Sequence, residues 1–310
     1  MKIAETVSRP LVVWTIQDGK PGHENQIRGL VEALSRRVGT GIHRLQAPGK
    51  LVAIGYGLRG RFPPAAGLPD PDLIIGAGHG THLALLAARR ARGGRAIVLM
   101  QPSLPCRWFD LCVIPAHDRP EPGPGVVVTR GVLNPMRPAA VKDPRQGLLL
   151  MGGPSKHYRW DEQAVIDQVR FIVDQKSDVH WTLTTSRRTP AGFLSRLTVT
   201  ADNLRVAPVE ETAPGWLAGR LAETAWVWVT PDSVSMIYES LTAGAAVGLL
   251  ELAPRGETRV TRGVNLLEKE GKVLRFSEWR EKPRLGLPKE AFNEAERCAG
   301  EILRRWPVSD

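Results

Sequence analysis

The 310-residue chain has few cysteines and no long apolar run. Its three cysteines form no C-x-x-C pair and would leave one unpaired, which favours a reducing cytoplasm over a disulfide framework. No apolar run is as long as a membrane span, and the opening "MKIAETVSRP" lacks the apolar core of a signal peptide. These absences predict a cytoplasmic protein, with peripheral attachment at the inner face of the membrane left open.

Several enzyme signatures are also missing. There is no Walker A sequence, which argues against a P-loop nucleotidase, and "MGGPSKHYRW" lacks the G-x-S-x-G of a nucleophile elbow. No Tyr-x-x-x-Lys pair accompanies an N-terminal NAD fingerprint, which argues against an epimerase of that kind. His79 and His82 are three residues apart but have no further ligand at metal-binding spacing. We therefore predict neither a cofactor nor a metal.

Acidic residues are outnumbered, and the formal net charge is +10. A basic surface can meet nucleic acid, anionic lipid or a polyanionic substrate, or it can be the solvated face of an arginine-rich protein. The sequence contains no basic helix interleaved with aromatics and no zinc-finger spacing, so we predict no nucleic-acid partner.

Strand-sized apolar runs alternate with helical patterns in the first half of the chain. The predicted strands are 11–16, 42–45, 73–76, 96–100, 111–114 and 126–129. The predicted helices are 25–38 and 81–92, and the glycine- and proline-rich stretch 59–72 is predicted to be a loop.

The alternation stops at 130–146, which reads as an interdomain linker, and then restarts. The predicted strands of the second half are 147–151, 180–184, 204–207, 226–229 and 246–250. The predicted helices are 161–175, 235–243, 258–270 and a final amphipathic helix at 289–306.

This alternation predicts an α/β protein with mostly parallel sheets covered by helices on both faces. We expect two Rossmann-like domains facing across a cleft: residues 1–135 on the acceptor side and residues 136–288 on the nucleotide-sugar donor side. Residues 289–310 would form a helix that packs back toward the first domain. Ligands of such sheets bind at the carboxyl ends of the strands, so the residues in the turns there are the candidates for function.

In the first half, "DGKPGHENQ" (18–26) and "GAGHGTH" (76–82) follow strands. Their glycines let backbone N–H groups approach an anion closely, although tight packing of strand on helix also needs glycine. Gly22 is the candidate for contact with phosphate. The candidates for lining the cleft are Gly78, His79, Gln101, Pro102 and His117.

In the second half, "TTSRRTP" (184–190) ends a predicted strand. Thr185 and Ser186 offer hydroxyls, and Arg187 and Arg188 offer the planar donors that bind phosphate. Ser155 of "GGPSKHYRW" is a further candidate. The alternative for 184–190 is a helix N-cap followed by two solvated arginines.

The segment "TPDSVSMIYES" (230–240) follows the strand "AWVWV". Asp232, Ser233 and Ser235 can cap the next helix without any ligand. Glu239 lies one helical turn after Ser235, so its carboxylate could take the two hydroxyls of a ribose, with Met236 beside it. The alternative is a plain cap and an exposed glutamate.

Together with "PAHD" (115–118) and "TRGVLNPM" (129–136), these motifs resemble the elongated-mitochondria fission-factor family, in the same order over about residues 11–260. That family is more distantly similar to GT-B glycosyltransferases such as the peptidoglycan GlcNAc transferase. The resemblance implies a GT-B fold with the nucleotide-sugar held mainly by the C-terminal domain. It places Gly22 and His23 in the loop after the first strand and Glu239 at the ribose. Ala246 stands where those enzymes usually have proline.

The resemblance implies transfer of a sugar from a nucleotide-diphosphate donor. His23 or Asp18 would act as general base, and Arg187 and Arg188 would stabilise the leaving diphosphate. Alternatively, the glycines only shape the turn and His23 caps the helix. The expected acceptor is a lipid-linked or envelope glycan, with an anionic membrane surface as a candidate partner. A non-catalytic interaction protein that keeps a nucleotide-binding cleft is the alternative function.

Overall fold

The computed structural model describes residues 9–139, 141–197, 201–288 and 290–307. These residues divide into two compact units, one ending at Pro135 and resuming at Asn293, the other running from Met136 to Phe292. The three cysteines are free thiols.

Unit 1 contains a parallel sheet of six strands in the order β2-β1-β3-β4-β5-β6. The strands are β1 (Leu11–Gln17), β2 (Thr40–Gln46), β3 (Leu73–Ala77), β4 (Arg95–Leu99), β5 (Leu111–Pro115) and β6 (Val126–Thr129). Its first helices are α1 (Pro21–Ser35), α2 (Lys50–Arg59) and α3 (His82–Arg92).

Unit 2 contains a second parallel sheet of six strands, in the order β12-β11-β10-β7-β8-β9. The strands are β7 (Asp143–Leu150), β8 (His180–Thr184), β9 (Leu204–Ala207), β10 (Thr224–Val229), β11 (Ala246–Leu249) and β12 (Val273–Arg275). The helices are α4 (Glu162–Gln175), α5 (Phe193–Arg196), α6 (Trp216–Glu223), α7 (Val234–Thr242), α8 (Arg259–Lys269) and α9 (Phe276–Glu281). The prediction of two Rossmann-like units with parallel sheets is confirmed.

The last helix, α10 (Glu294–Arg305), belongs to unit 1. Its apolar side enters the same core as α1 through Cys298, Ala299 and Ile302. On its polar side, Glu296 binds the guanidinium groups of Arg36 and Arg37. The predicted start of this helix, Lys289, lies outside the described residues.

Helix α1 begins earlier than the sequence-based prediction, which placed its start at residue 25. It begins at Pro21, because proline is favoured at the first helical position, where its missing N–H costs nothing. The buried residues Ile27, Leu30, Val31 and Leu34 then follow at helical spacing. The predicted turn 18–26 is therefore only Asp18–Lys20, and Gly22 and His23 lie in the first turn of the helix.

Helix α2 was not predicted. Its sequence KLVAIGYGLR has no polar face opposite its apolar residues and contains two glycines, so the usual amphipathic signal is missing. It packs on α3, where Gly57 approaches Ala87.

Candidate functional site

In unit 2 the strand order turns back at β7, which pairs with β8 on one side and β10 on the other. A parallel sheet opens at such a switch point, and ligands bind outside the carboxyl ends of the strands there. The loops that follow β7, β8 and β10 meet at this edge and enclose a cavity of about 720 Å³.

We call this space the switch-point cavity. Its walls come from the loops after β7, β8 and β9 and from the starts of α6, α7 and α8. The lining residues are Pro154, Ser155, Lys156, His157, Thr184, Thr185, Ser186, Arg187, Arg188, Val209, Thr212, Trp216, Leu217, Asp232, Ser233, Val234, Ser235, Met236 and Val260. Most of the donor-side candidates predicted from the sequence are thus brought together.

The floor of the cavity is an ion pair with a buried carboxylate and a half-exposed guanidinium. The Asp232 carboxylate is fully buried and accepts from Nη2 of Arg188 at 2.7 Å and from the backbone N–H of Gly153 at 3.0 Å. The same Nη2 donates to Oγ of Ser233 at 2.9 Å. Arg188 therefore fixes the loops, and its guanidinium is only partly available to a ligand.

Two consecutive glycines make this floor possible. A Cβ on Gly152 would collide with the carboxylate of Asp232, and one on Gly153 would collide with the carbonyl oxygen of Arg188. The two glycines of "GGP" after β7 therefore allow three loops to approach one another closely.

Helix α7 begins with Ser233 as N-cap, and no side chain caps it. This corrects the expectation that Asp232, Ser233 and Ser235 cap the helix, since Asp232 bonds Gly153 and Arg188 instead. Within the described residues no acceptor is recorded for the backbone N–H groups of Val234, Ser235 and Met236. These donors and the positive end of the helix dipole border the cavity.

The hydroxyls that were predicted to contact a ligand mostly form hydrogen bonds within the protein. Thr185 Oγ1 accepts from the N–H of Val209 at 3.0 Å, and Ser186 Oγ donates to the carbonyl of Gly152 at 3.0 Å. Ser155 Oγ accepts from two backbone N–H groups of its own turn, at 3.2 and 3.1 Å. They hold the loops in place around the cavity.

The rim of the cavity carries positive charge. Arg187 is exposed, and in the described part of the chain it has no ion-pair partner; Lys156 lies on the same rim. Burial, together with the nearby charges of Lys156 and Arg259, lowers the pKa of His157 below its ordinary value. His157 would thus be neutral near pH 7, with a buried Nδ1 that has no described hydrogen-bond partner.

An apolar wall was missed by sequence reasoning. Trp216, Leu217 and Val209 form it together with Met236 and Val260. Trp216 opens α6 directly after Gly215, which has φ +85°. A tryptophan after a glycine at the end of a βα loop was the available signal.

Glu239 is half-buried, and it is not among the described residues that line the cavity. It lies one turn further along α7 than Ser235, which does line it. Ribose binding by Glu239 stays a prediction.

In unit 1 the loop after β1 and the start of α1 form an aspartate–histidine pair. Nδ1 of His23 lies 2.9 Å from Oδ2 of Asp18, and both side chains are largely buried. The Asp18 carboxylate also accepts from the N–H of Lys20 at 3.3 Å. Gly78, after β3, has φ +81° and lies against the His23 ring, so a Cβ there would collide with the imidazole.

Two more histidines follow β3. The rings of His79 and His82 are 5.6 Å apart, and Nδ1 of His82 lies 3.3 Å from Oγ of Ser103. Burial, followed by the charges of His79 and His23, lowers the pKa of His82 to about 4. In the described ranges, no group of three or more His, Cys, Asp or Glu could hold a metal ion.

The remaining unit 1 candidates lie at the same sheet edge, after β4 and β5. Gln101 is exposed and Pro102 is buried. Nε2 of His117 lies 4.0 Å from Oδ1 of Asp118. At Gly22, a Cβ would meet nothing within 4 Å, so this glycine is not required by packing.

None of the described helices is long and apolar enough to cross a membrane. No curated protein sequence matches this chain.

The fold is that of GT-B proteins. It is similar to MurG of Acinetobacter baumannii, with 13% identity and a TM-score of 0.55 over 96% of this chain and 100% of that one. It is similar to a UDP-GlcNAc 2-epimerase of Methanocaldococcus jannaschii, with 10% identity and a TM-score of 0.57 over 96% and 100% of the two chains. A UDP-glucosyltransferase of Polygonum tinctorium has 12% identity and a TM-score of 0.50 over 97% and 93%.

Identities this low establish the fold alone. The family is shown by the sequence, because the mitochondrial fission ELM1 model matches residues 21–306. The chain belongs to the mitochondrial fission ELM1 family.

Proposed function

We propose that this protein is a glycosyltransferase that takes its sugar from a nucleotide-diphosphate donor bound in the switch-point cavity. The observation that carries the proposal is that one cavity is lined both by the uncapped start of α7 and by Arg187, for which the described part of the chain supplies no ion-pair partner. Backbone donors and a planar guanidinium are the groups that bind a diphosphate.

The charge balance of the cavity supports an anionic ligand. Among its described lining residues the only carboxylate is Asp232, and Arg188 already neutralises it. The cationic groups of Lys156 and Arg187 therefore remain to bind an anion. A diphosphate would add charge-assisted bonds worth about 1.5–3 kcal/mol each.

The apolar wall suits the nucleobase. Trp216 offers a flat face, and Val209 and Leu217 extend it. Stacking of a base on an aromatic side chain is worth about 1–3 kcal/mol and is tolerant of the base. Trp216 would therefore contribute affinity without selecting the base.

The Asp18–His23 pair supports a general base in unit 1. With Nδ1 donating to the Asp18 carboxylate, Nε2 is the ring nitrogen left to take a proton. His23 would take the proton of an acceptor hydroxyl whose oxygen then attacks the anomeric carbon. The bond from that carbon to the diphosphate breaks, and the nucleoside diphosphate leaves with the electron pair.

For the acceptor we propose a lipid-linked or envelope glycan, reached by peripheral binding at a membrane. The net charge of +10 supports attraction to an anionic surface.

Two other functions are set against this one. The family is described by mitochondrial fission and not by sugar transfer, and fold does not fix function, so an interaction protein that keeps a nucleotide site is the first alternative. A UDP-GlcNAc 2-epimerase has a similar fold, so epimerisation at a sugar carbon is tested as well.

The test is calorimetric titration with UDP, ADP, GDP, CMP and their common sugar conjugates. We expect one nucleotide to bind at micromolar Kd and Arg187→Ala to weaken it about tenfold or more. Arg205→Ala is the matched control, because Arg205 is also an exposed arginine of unit 2 but lies outside the cavity. Equal loss in both variants, or no binding across the panel, would remove the donor site.

Turnover then separates the three functions. Isotope-labelled donor incubated with a membrane extract should give a labelled glycolipid, and His23→Ala should stop this while nucleotide binding is retained. NMR of the donor alone would show a new epimer if the enzyme is an epimerase. Nucleotide binding with neither product would favour the interaction protein.

A further inference from the structure

Helix α2 exposes a stripe of large aliphatic side chains. Leu51 is 84% exposed, Leu58 is 78% exposed and Ile54 is 45% exposed. Their spacing of three, four and seven residues places them on one face of the helix. Ala53, the one buried residue of α2, and Gly57, which meets α3, mark the side of the helix that packs on the protein.

Single exposed leucines are common on protein surfaces, but three on one helical face form a continuous apolar stripe. Leu51 and Leu58 bury little of their surface in the folded chain, so their apolar side chains remain largely in water. The three side chains of the stripe line none of the cavities recorded for the described residues. Such a face suits a broad apolar phase better than it suits a peptide.

The charge around the stripe has one sign. Residues 33–69 contain no aspartate or glutamate. Lys50 and Arg59 flank the stripe and Arg61 follows it, and all three are exposed. Among the described residues none of them is recorded in an ion pair, whereas Arg36 and Arg37 of the same stretch are bound to Glu296.

We propose that α2 is a membrane-docking helix that lies in the plane of an anionic bilayer. Leu51, Ile54 and Leu58 enter the boundary between head groups and acyl chains, and Lys50, Arg59 and Arg61 contact the anionic head groups. The ten residues of α2 span about 15 Å, which is enough for shallow contact along one face. Since the helix is short, its binding is weak and reversible.

This inference deepens the proposed function, because it assigns the surface by which the enzyme would reach a lipid-linked acceptor. It does not depend on sugar transfer, and vesicle binding is measured without nucleotide or acceptor.

The experiment is co-sedimentation with vesicles of equal parts phosphatidylcholine and phosphatidylglycerol, against vesicles of phosphatidylcholine alone. We expect binding to the anionic vesicles only, weakened by salt. Leu51→Ser/Leu58→Ser should reduce the partition coefficient about tenfold or more. Lys50→Gln/Arg59→Gln/Arg61→Gln should reduce it by roughly fivefold per charge at low salt.

The matched control is Val141→Ser/Leu287→Ser, which removes two exposed aliphatic side chains from unit 2 and should bind as the wild type does. Circular dichroism checks that every variant is folded. Wild-type protein that stays in the supernatant, or a Leu51→Ser/Leu58→Ser variant that binds as well as wild type, overturns the proposal. So does loss of self-association in that variant by sedimentation velocity, which would assign the stripe to a second copy of the chain. Nucleotide titration of the same samples tests the donor site separately.

Discussion

The two sheets have the same parallel architecture, but their carboxyl edges carry different chemistry. The edge of unit 1 holds titratable side chains in contact with one another, such as Asp18 with His23 and His79 with His82. The edge of unit 2 holds a cavity bordered by backbone N–H groups and arginine. The first edge holds groups that can exchange protons, and the second holds donors that can bind an anion.

The largest effect is expected at the meeting point of the unit 2 loops. Gly153→Ala would drive a methyl group into the Arg188 carbonyl, a backbone atom that cannot move aside. Overpacking of this kind costs about 3 kcal/mol, and nucleotide binding should be lost with it. Urea unfolding followed by circular dichroism measures the cost.

The control is Gly192→Ala, because a Cβ at Gly192 would meet nothing within 4 Å. If both variants unfold at the same urea concentration, the three loops do not meet as closely as described.

The second effect concerns protons in unit 1. The folded-state pKa of His82 is lowered to about 4 from 6.5, so the unfolded chain binds a proton that the folded chain does not. The free energy of unfolding is therefore unaffected by protonation of His82 above about pH 6.5, and it decreases as the pH falls toward 4. The loss amounts to at most about 3 kcal/mol. His82→Gln should flatten the pH dependence of the free energy of unfolding in this window.

His43→Gln is the control, since His43 is a half-buried histidine of the same unit. A His82→Gln variant with the wild-type slope between pH 6.5 and 4 would show that His82 does not supply this titration.

The third effect separates two adjacent arginines. Arg188→Ala leaves the buried Asp232 carboxylate without its cation, so we expect a loss of about 2 kcal/mol in stability as well as weaker nucleotide binding. Arg187→Ala removes an exposed side chain and should weaken binding while stability changes by less than about 0.5 kcal/mol. Thermal unfolding and calorimetry on both variants measure the two quantities. Equal stability of the two variants would contradict the structural role of Arg188.

Much of this arrangement was predictable from the sequence. The apolar runs gave both parallel sheets, and the rule that ligands bind at strand ends pointed to the loop after β8 and to the start of α7. The positions of the loops could be predicted because they depend on residues that are close together in the sequence.

What could not be predicted depends on contacts between distant segments. Arg188 and Asp232 were both expected to face a ligand, yet they bind each other across two loops. Trp216 and His157 line the cavity only because the loops after β9 and β7 reach the same strand edge. Helix α2 was not predicted, because two glycines interrupt its apolar residues and no polar face opposes them.

The smallest expected effect is an increase in stability, which contrasts the edge of unit 1 with the edge of unit 2. Gly22 lies in the first turn of α1 with open space around its Cα, so Gly22→Ala should stabilise the protein by about 0.5–1 kcal/mol. Urea unfolding of Gly22→Ala and Gly153→Ala, measured together, should show a gain in stability for the first variant and a loss for the second. If Gly22→Ala is at least as stable as wild type but loses sugar transfer, a ligand must approach the backbone at that point. If it keeps full transfer, Gly22 has no part in phosphate binding, and the chemistry of this turn rests on Asp18 and His23 alone.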